Sequence, residues 1–122
     1  MRRLIVMRHA KSAWDTDAAT DHERPLSERG RRDAPRIGER LGELGWIPDL
    51  ALVSDALRAT ETWNRAARTL GMLVPVRYLR ALYGAGLGAV QQVLETVPDV
   101  ADTVLILGHN PGFERVASWL AG

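Results

Sequence analysis

The sequence predicts an α/β fold: a three-layer sandwich in which helices cover both faces of a mainly parallel central sheet. Three short, continuous apolar runs, each typical of a strand buried on both faces, support this prediction. Segments with helical periodicity separate them, and strands that alternate with helices pair in parallel. The runs span residues 4–7, 50–53 and 103–107, and we expect all three to be central strands.

The first apolar run is followed by a polar loop, roughly residues 11–25, and then by an amphipathic helix. Ser27 is placed to cap the N-terminus of this helix, and Gly45 to end it. Pro35 interrupts the pattern, so the regular helix either begins late, near Pro35, or bends there. The apolar face of the helix consists of Ala34, Ile37, Leu41 and Leu44.

The second apolar run leads directly into a second helix. We expect Ser54 to cap this helix, which runs to about Leu70 and stops at Gly71. Residues 74–79 form a candidate fourth strand. Pro75 restricts that strand to an edge of the sheet, because proline cannot donate a hydrogen bond to a neighbouring strand.

Two further helices complete the expected alternation. The first covers roughly residues 90–97 and ends near Pro98, after a glycine-rich stretch. The last apolar run is followed by a turn over residues 108–112 and by a helical pattern from Phe113 to Leu120. Each predicted strand is therefore joined to the next by a helix.

Composition and charge limit the class of protein. The 122 residues, 46% of them hydrophobic, fit a single domain over residues 1–122. Sixteen basic and fifteen acidic residues give a net charge of +1, which is too small a field to hold nucleic acid or an anionic membrane by charge alone. The absence of cysteine and the shortness of the first apolar run indicate a soluble, cytoplasmic protein.

Charged and titratable residues lie at the ends of the predicted strands. Arg8 and His9 follow the first strand, Arg58 lies in the first turn of the second helix, and His109 follows the last strand. Because the carboxyl ends of parallel strands meet at one edge, we expect these side chains to converge. Two guanidinium groups beside helix N-termini suit a doubly charged tetrahedral oxyanion, such as a phosphoryl group. His22 has no such placement, and we expect it on the surface.

The same residues belong to longer motifs. Three of them, in chain order, are Arg8-His9-Ala10, Ser54-x-x-x-Arg58-Ala59-x-x-Thr62 and Gly108-His109-Asn110-Pro111. The loop after the first strand adds Lys11-Ser12-x-Trp14 and Asp21-x-x-Arg24-Pro25-Leu26-x-x-Arg29-Gly30. Together they resemble the histidine phosphatase superfamily, which includes phosphoglycerate mutase, and within it the short phosphohistidine phosphatases of the SixA type. The resemblance spans nearly the whole chain and implies a phosphoglycerate mutase-like fold.

The resemblance also implies a reaction. His9 would attack phosphorus through a neutral ring nitrogen and form a phosphohistidine intermediate, while its other nitrogen donates to a backbone carbonyl. Arg8, Arg58 and His109 would hold the phosphoryl oxygens, so that no metal ion and no cofactor is expected. Raising the pH above neutrality would weaken the site through His109 if that residue works as a cation.

The chain departs from the larger family members at the general acid. Those members carry a glutamate after the third strand, whereas residues 80–84 here contain no carboxylate. An alkoxide leaving group needs a proton, but the imidazole of phosphohistidine is far easier to expel. We therefore expect phosphohistidine in a protein as the substrate. Asp21, Asp15 and Asp17 are candidate substitute acids, although solvated loop carboxylates are the simpler interpretation.

Other functions stay open at this point. A small-molecule phosphomonoesterase and a phosphoprotein-binding module with little turnover would use the same residues. Lys11 and Ser12 are candidate phosphate donors, and Asp21 is a candidate substrate contact. The short connections leave no sizeable lid, and an open pocket suits a phosphorylated side chain presented by another protein. A nucleic-acid role is least favoured, because acidic residues interrupt the arginines along the helices.

Two remaining features concern packing. Trp46, Trp63 and Trp119 are expected to anchor the core or the layer just beneath the surface, whereas Trp14, close after the catalytic pair, is the exception. Family members usually continue past the last helix, so the domain either lacks the family's C-terminal segment or is cut short in this sequence. A missing segment would expose an apolar face, which leaves room for a homodimer.

Overall fold

The computed structural model describes residues 1–110 and 112–121 and confirms the α/β sandwich. Pro111, within the predicted turn, and Gly122 lie outside the described residues. All strand pairings are parallel, in the order β1-β4-β2-β3. The strands are β1 (Arg3–Arg8), β2 (Leu50–Ser54), β3 (Val76–Leu79) and β4 (Thr103–Gly108), and the helices are α1 (Glu28–Glu43), α2 (Leu57–Leu70), α3 (Leu87–Glu95) and α4 (Gly112–Ala121).

The sheet has β1 at one edge and β3 at the other. The edge position of β3, which begins directly after Pro75, is as predicted. The prediction that β1 is central is wrong. A continuous apolar run reports that both faces of a strand are covered, but it carries no information about how many strands lie beside it. Leu4, Ile5 and Val6 are only partly buried, as expected at an edge.

Helices cover both faces of the sheet, as the alternation of elements predicts. On one face, Leu41 of α1 and Trp63 of α2 pack with Val53 and Leu105 of the sheet. On the other face, Val90 of α3 and Phe113 of α4 pack with Leu52 and Ile106. The central strands β2 and β4 therefore contribute alternate side chains to two separate cores.

Helix α1 begins directly after the predicted cap Ser27 and not near Pro35. Ser27 caps it, with its Oγ accepting a hydrogen bond from the Gly30 N–H at 3.1 Å. Pro35 lies inside the helix, so the late start is wrong. Its carbonyl accepts a hydrogen bond from Thr69 Oγ1, which ties this part of α1 to α2. Gly45, with φ of 70°, follows the C-cap residue Leu44, as expected of a helix stop.

The prediction that Ser54 caps α2 is wrong. Ser54 is the last residue of β2, and Ala56 precedes the helix without a capping side chain. The hydroxyl of Ser54 is engaged elsewhere, by His109. Gly71 ends α2 with φ of 77°, as predicted. Among the described residues, no helix combines the length and the apolar character that a membrane crossing requires.

The tryptophans fit the packing prediction only in part. Trp63 is 2% exposed and belongs to the core. Trp46 and Trp119 are about half exposed, at 47% and 48%, so their assignment as buried anchors is wrong. The residue types near the end of a helix or strand do not indicate whether another part of the chain covers that end. Trp14 is 75% exposed and is described below with the site.

Close packing of α1 on α2 depends on the absence of a side chain at Gly38. A methyl group there would overlap the Ala66 carbonyl and the Thr69 hydroxyl, whereas Gly42 of the same helix has only Leu70 at van der Waals distance. We expect Gly38→Ala to lower the free energy of unfolding by about 1–3 kcal/mol, as overpacking does. Gly42→Ala, the matched control, should be neutral or stabilising by up to about 1 kcal/mol. Urea unfolding measures both, and equal effects would contradict this packing.

Candidate active site

The parallel pairing of β1 with β4 brings the two motif histidines together. Arg8 lies opposite Gly108 in the register, and the His9 N–H donates to the Gly108 carbonyl at 3.1 Å. The ring centroids of His9 and His109 are 4.9 Å apart. A cavity of about 530 Å³ lies at this edge. Its lining includes Arg8, His9, Arg58 and His109, together with Lys11 and Ser12.

The protonation state of His9 follows from its backbone contact. Its Nδ1 lies 2.7 Å from the Ala10 carbonyl, which can only accept, so Nδ1 carries the proton and Nε2 keeps its lone pair. The Ala10 N–H in turn donates to Thr62 Oγ1 at 3.1 Å, which fixes this turn of the chain. Burial lowers the pKa of His9, and the charges of Arg58 and Arg8 lower it further. His9 is therefore neutral at physiological pH, as a nitrogen nucleophile must be.

His109 is buried and is held through its other nitrogen. Its Nε2 lies 2.7 Å from Ser54 Oγ, which also accepts from the Ala56 N–H at 3.3 Å. Among the described residues, His109 Nε2 is the only acceptor within hydrogen-bond distance of the Ser54 hydroxyl, so the serine proton is assigned to that bond and the imidazole proton to Nδ1. Burial and the charges of His9 and Arg58 lower the pKa of His109 to about 4. His109 is thus neutral at pH 7 in the site without an anion, which disfavours its acting as a cation there.

Two buried nitrogens at the cavity have no partner. The Arg58 guanidinium donates to the Asp21 carbonyl at 2.7 Å and to Asp21 Oδ2 at 3.0 Å. Its Nε, like Nδ1 of His109, makes no hydrogen bond within residues 1–110 and 112–121. A buried N–H without an acceptor costs free energy, so such groups concentrate where a ligand supplies the acceptor. Both are placed to donate to an anion.

Asp21 lies beside the site but outside the cavity lining. Its carboxylate accepts from Tyr83 Oη at 2.6 Å, Arg24 Nε at 3.0 Å and Arg58. The hydrogen bond from Tyr83, followed by those from the two arginines, holds the pKa of Asp21 far below its usual range. An ionised carboxylate is a poor proton donor, so this geometry disfavours Asp21 as the substitute acid and makes it a support for Arg58. Asp15 and Asp17 are exposed.

Arg24 is a buried cation that sequence reasoning missed as a site residue. Its Nη1 donates to Ser12 Oγ at 2.9 Å and to the Ala13 carbonyl at 3.0 Å, and the residue lines the cavity. Its guanidinium lies 3.7 Å from the centre of the Trp14 ring. The available signal was its place in the Asp21-x-x-Arg24 motif. A lone arginine in a polar loop gives no indication of burial.

Tyr83 and His22 lie beside the site, outside the residues that line the cavity. Tyr83 lies in the stretch where larger family members carry the glutamate, and its ring meets His109 edge-on at 5.6 Å. Its hydrogen bond to Asp21 raises its pKa. His22 is half-buried, 2.7 Å from Asp55 Oδ1 and edge-on to Tyr83 at 4.9 Å. The surface assignment of His22 is therefore wrong, because the 3-10 turn Asp21–Glu23 packs back onto the start of α2.

The two weaker candidates for phosphate binding differ in exposure. Ser12 is buried, and its Oγ accepts from Arg24. Lys11 is exposed at the mouth of the cavity. Within the described ranges no group of three or more His, Asp or Glu side chains is placed to hold a metal ion. That the reaction uses no metal stays a prediction.

Comparisons with known proteins identify the family. The family model of the histidine phosphatase superfamily (branch 1) matches residues 4–109, and the chain belongs to that superfamily. It is 39% identical over 131 residues to an uncharacterised chloroplastic protein of Arabidopsis thaliana. That match covers 99% of this chain but 60% of the relative, so the chain spans less than two thirds of that protein's length.

Solved structures confirm the resemblance to the SixA type. A proposed phosphohistidine phosphatase SixA from Agrobacterium tumefaciens superposes with a TM-score of 0.90 at 27% identity, covering 99% of this chain and 77% of that one. The protein histidine phosphatase SixA complexed with tungstate gives a TM-score of 0.82 at 27% identity, covering 93% and 74%. These similarities place the chain, by fold, with the SixA-type members of its superfamily.

Ser54 should set the tautomer of His109. In nitrogen-15 spectra at pH 7, we expect the wild-type His109 ring to be protonated at Nδ1, because Ser54 donates to Nε2. Ser54→Ala removes that donor and should give a mixture of tautomers. The three histidines of the chain allow assignment by single substitutions. His9 serves as the internal control, because its proton is held on Nδ1 by backbone in both proteins. A wild-type His109 protonated at Nε2 would contradict this assignment.

Proposed function

We propose that the chain hydrolyses phosphohistidine in proteins through a covalent phosphohistidine intermediate on His9. One observation carries the proposal. The neutral His9, with its lone pair kept on Nε2, borders a cavity at which the buried Arg58 Nε and His109 Nδ1 have no hydrogen-bond partner among the residues that the structure describes. A nucleophile beside preorganised donors for an oxyanion is the arrangement that phosphoryl transfer needs.

The proposed reaction has two displacements at phosphorus. In the first, His9 Nε2 forms a bond to phosphorus while the bond to the leaving imidazole nitrogen breaks. In the second, water attacks the phosphorylated His9, releasing inorganic phosphate and returning the neutral ring. Arg8, Arg58 and His109 donate to the phosphoryl oxygens in both steps, and the arginines supply the fixed positive charge.

The surroundings of the site favour a leaving group that needs little acid catalysis. Asp21 is ionised, and the hydroxyl of Tyr83 already donates its proton to Asp21. Without a ready proton donor, an alkoxide would leave slowly, whereas imidazole leaves readily. The similar SixA structures, one of them with the tetrahedral oxyanion tungstate, support the same class of substrate. The cytoplasmic location, the single-domain organisation and the homodimer stay predictions.

Trapping tests the covalent intermediate. We expect the protein to acquire label when mixed with a radiolabelled phosphohistidine peptide and quenched in base, and to lose that label in acid, as phosphohistidine does. His9→Ala should take up none, and Arg58→Ala should slow labelling about a hundredfold, since it removes a donor to the transition state. His22→Ala is the control histidine and should still be labelled. Binding of the peptide without any label would instead indicate a phosphoprotein-binding module.

A panel of phosphodonors tests the substrate class. We compare kcat/KM for a phosphohistidine peptide, p-nitrophenyl phosphate and a sugar phosphate. The peptide and the phenyl ester should exceed the sugar phosphate by about a hundredfold or more, in line with the contribution of a general acid that the site lacks. Equal turnover of the sugar phosphate would overturn the proposal and indicate a small-molecule phosphomonoesterase.

A further inference from the structure

Beside the cavity lies a second depression, which the proposed reaction does not use. This Trp14 groove, about 830 Å³ in volume, is formed by the loop that carries Trp14 and the first two turns of α1. We propose that it binds an acidic polypeptide segment next to the phosphorylated side chain of the substrate. The inference rests on the proposed function and adds to it a surface that selects the substrate protein.

Trp14 is held in place without being buried. It is 75% exposed, yet one face of its ring lies 3.7 Å from the buried Arg24 guanidinium. Arg24 is itself fixed by Asp21, Ser12 and the Ala13 carbonyl. An aromatic side chain that is already ordered loses little entropy when a ligand packs on it. Trp14 is therefore a preformed contact for an apolar or peptide group.

The groove is continuous with the catalytic cavity. Lys11, Ser12, Trp14 and Arg29 line both of them. A side chain whose phosphoryl group reaches His9 leaves its own backbone near the mouth of the cavity. The neighbouring residues of that polypeptide then lie across Trp14. A small phosphorylated metabolite would not extend that far.

The charge of the groove indicates an acidic occupant. Four cationic residues line it, Lys11, Arg29, Arg31 and Arg32, against the two carboxylates of Asp15 and Glu28. In the part of the chain that the structure describes, Lys11, Arg31 and Arg32 form no salt bridge. The chain as a whole carries a net charge of only +1, so this is a local concentration of charge.

The position of these arginines in α1 strengthens the argument. Arg29, Arg31 and Arg32 lie directly after Glu28, at the N-terminal end of the helix, where the macrodipole disfavours cations unless an anion compensates. Arg29 finds a partial compensation in Asp33, at 3.5 Å. Arg31 donates to the Leu26 carbonyl at 3.0 Å, which leaves its charge without a carboxylate partner among the described residues. An acidic ligand would supply that partner for Arg31 and for Arg32. The cations are grouped at one end of one helix, which suits a short acidic segment.

The test uses two phosphohistidine peptides, one flanked by glutamates and one by serines. Wild-type protein should show a KM about tenfold lower for the acidic peptide. Trp14→Ala should raise the KM for the acidic peptide about tenfold relative to any change with p-nitrophenyl phosphate, with the larger effect on KM than on kcat. Arg32→Glu should remove the preference for the acidic peptide.

Matched controls come from the same chain. Trp46→Ala changes a tryptophan with 47% exposure on another surface, and Arg77→Glu reverses an exposed arginine of β3. Both should behave as wild type with either peptide. Equal KM values for the two peptides in the wild type, or equal effects of Trp14→Ala and Trp46→Ala, would overturn the inference. So would stronger inhibition of peptide turnover by an oligonucleotide than by polyglutamate, since that would assign the groove to nucleic acid.

The two proposals can fail separately. Binding of both peptides to the His9→Ala protein, measured by calorimetry, reports the groove without any turnover. Preference for the acidic peptide there, with no label on wild-type His9, would keep the groove and reject the proposed reaction. Label on His9 with no preference between peptides would keep the reaction and reject the groove.

Discussion

The parallel pairing of β1 with β4 is the constraint on which the site depends. It places two segments from opposite ends of the chain side by side, with Arg8 opposite Gly108 and the His9 N–H bonded to the Gly108 carbonyl. The strand end is held from the other side as well, because the Phe113 ring of α4 occupies the space where a side chain at Gly108 would lie. The approach of the two histidines is thus set by backbone hydrogen bonds and by the packing of Phe113 against the end of the strand.

In the site, arginines and histidines make different electrostatic contributions. Arginines carry the charge, and buried histidines stay neutral because the same arginines and the loss of water disfavour their protonation. Asp21 balances part of this charge by holding Arg58 and Arg24, while leaving the Arg58 Nε without a partner. The result is a cationic cavity that contains an uncharged imidazole, the attacking group of the proposed reaction.

The fold and the four central site residues could be predicted from the sequence because both depend on short-range pattern and on strand topology. Apolar runs identify buried strands, and parallel strands bring Arg8, His9, Arg58 and His109 to one edge. The errors share a different cause. The edge position of β1, the partner of Ser54 and the burial of Arg24 depend on which distant segments pack together. Neither propensity nor motif spacing encodes those contacts.

The loop that carries Asp21 and His22 is a further case in which the sequence does not reveal the contacts between distant segments. In the sequence it is a polar stretch with no periodicity, so its carboxylates look solvated. In the structure, its 3-10 turn folds back so that Asp21 joins Arg58 to Tyr83 and His22 meets Asp55. Tyr83, in the stretch where larger family members carry their glutamate, therefore contacts the site through a partner 62 positions away in the sequence.

The two histidines differ in what determines their hydrogen placement. For His9 the acceptor is a peptide carbonyl, which every amino acid possesses, so replacing neighbouring side chains leaves the choice of attacking nitrogen untouched. For His109 the partner is one hydroxyl, that of Ser54, which a single codon change can delete. Sequence drift in a lineage, or deliberate redesign, could therefore retune the proposed anion donor while the proposed nucleophile stays intact.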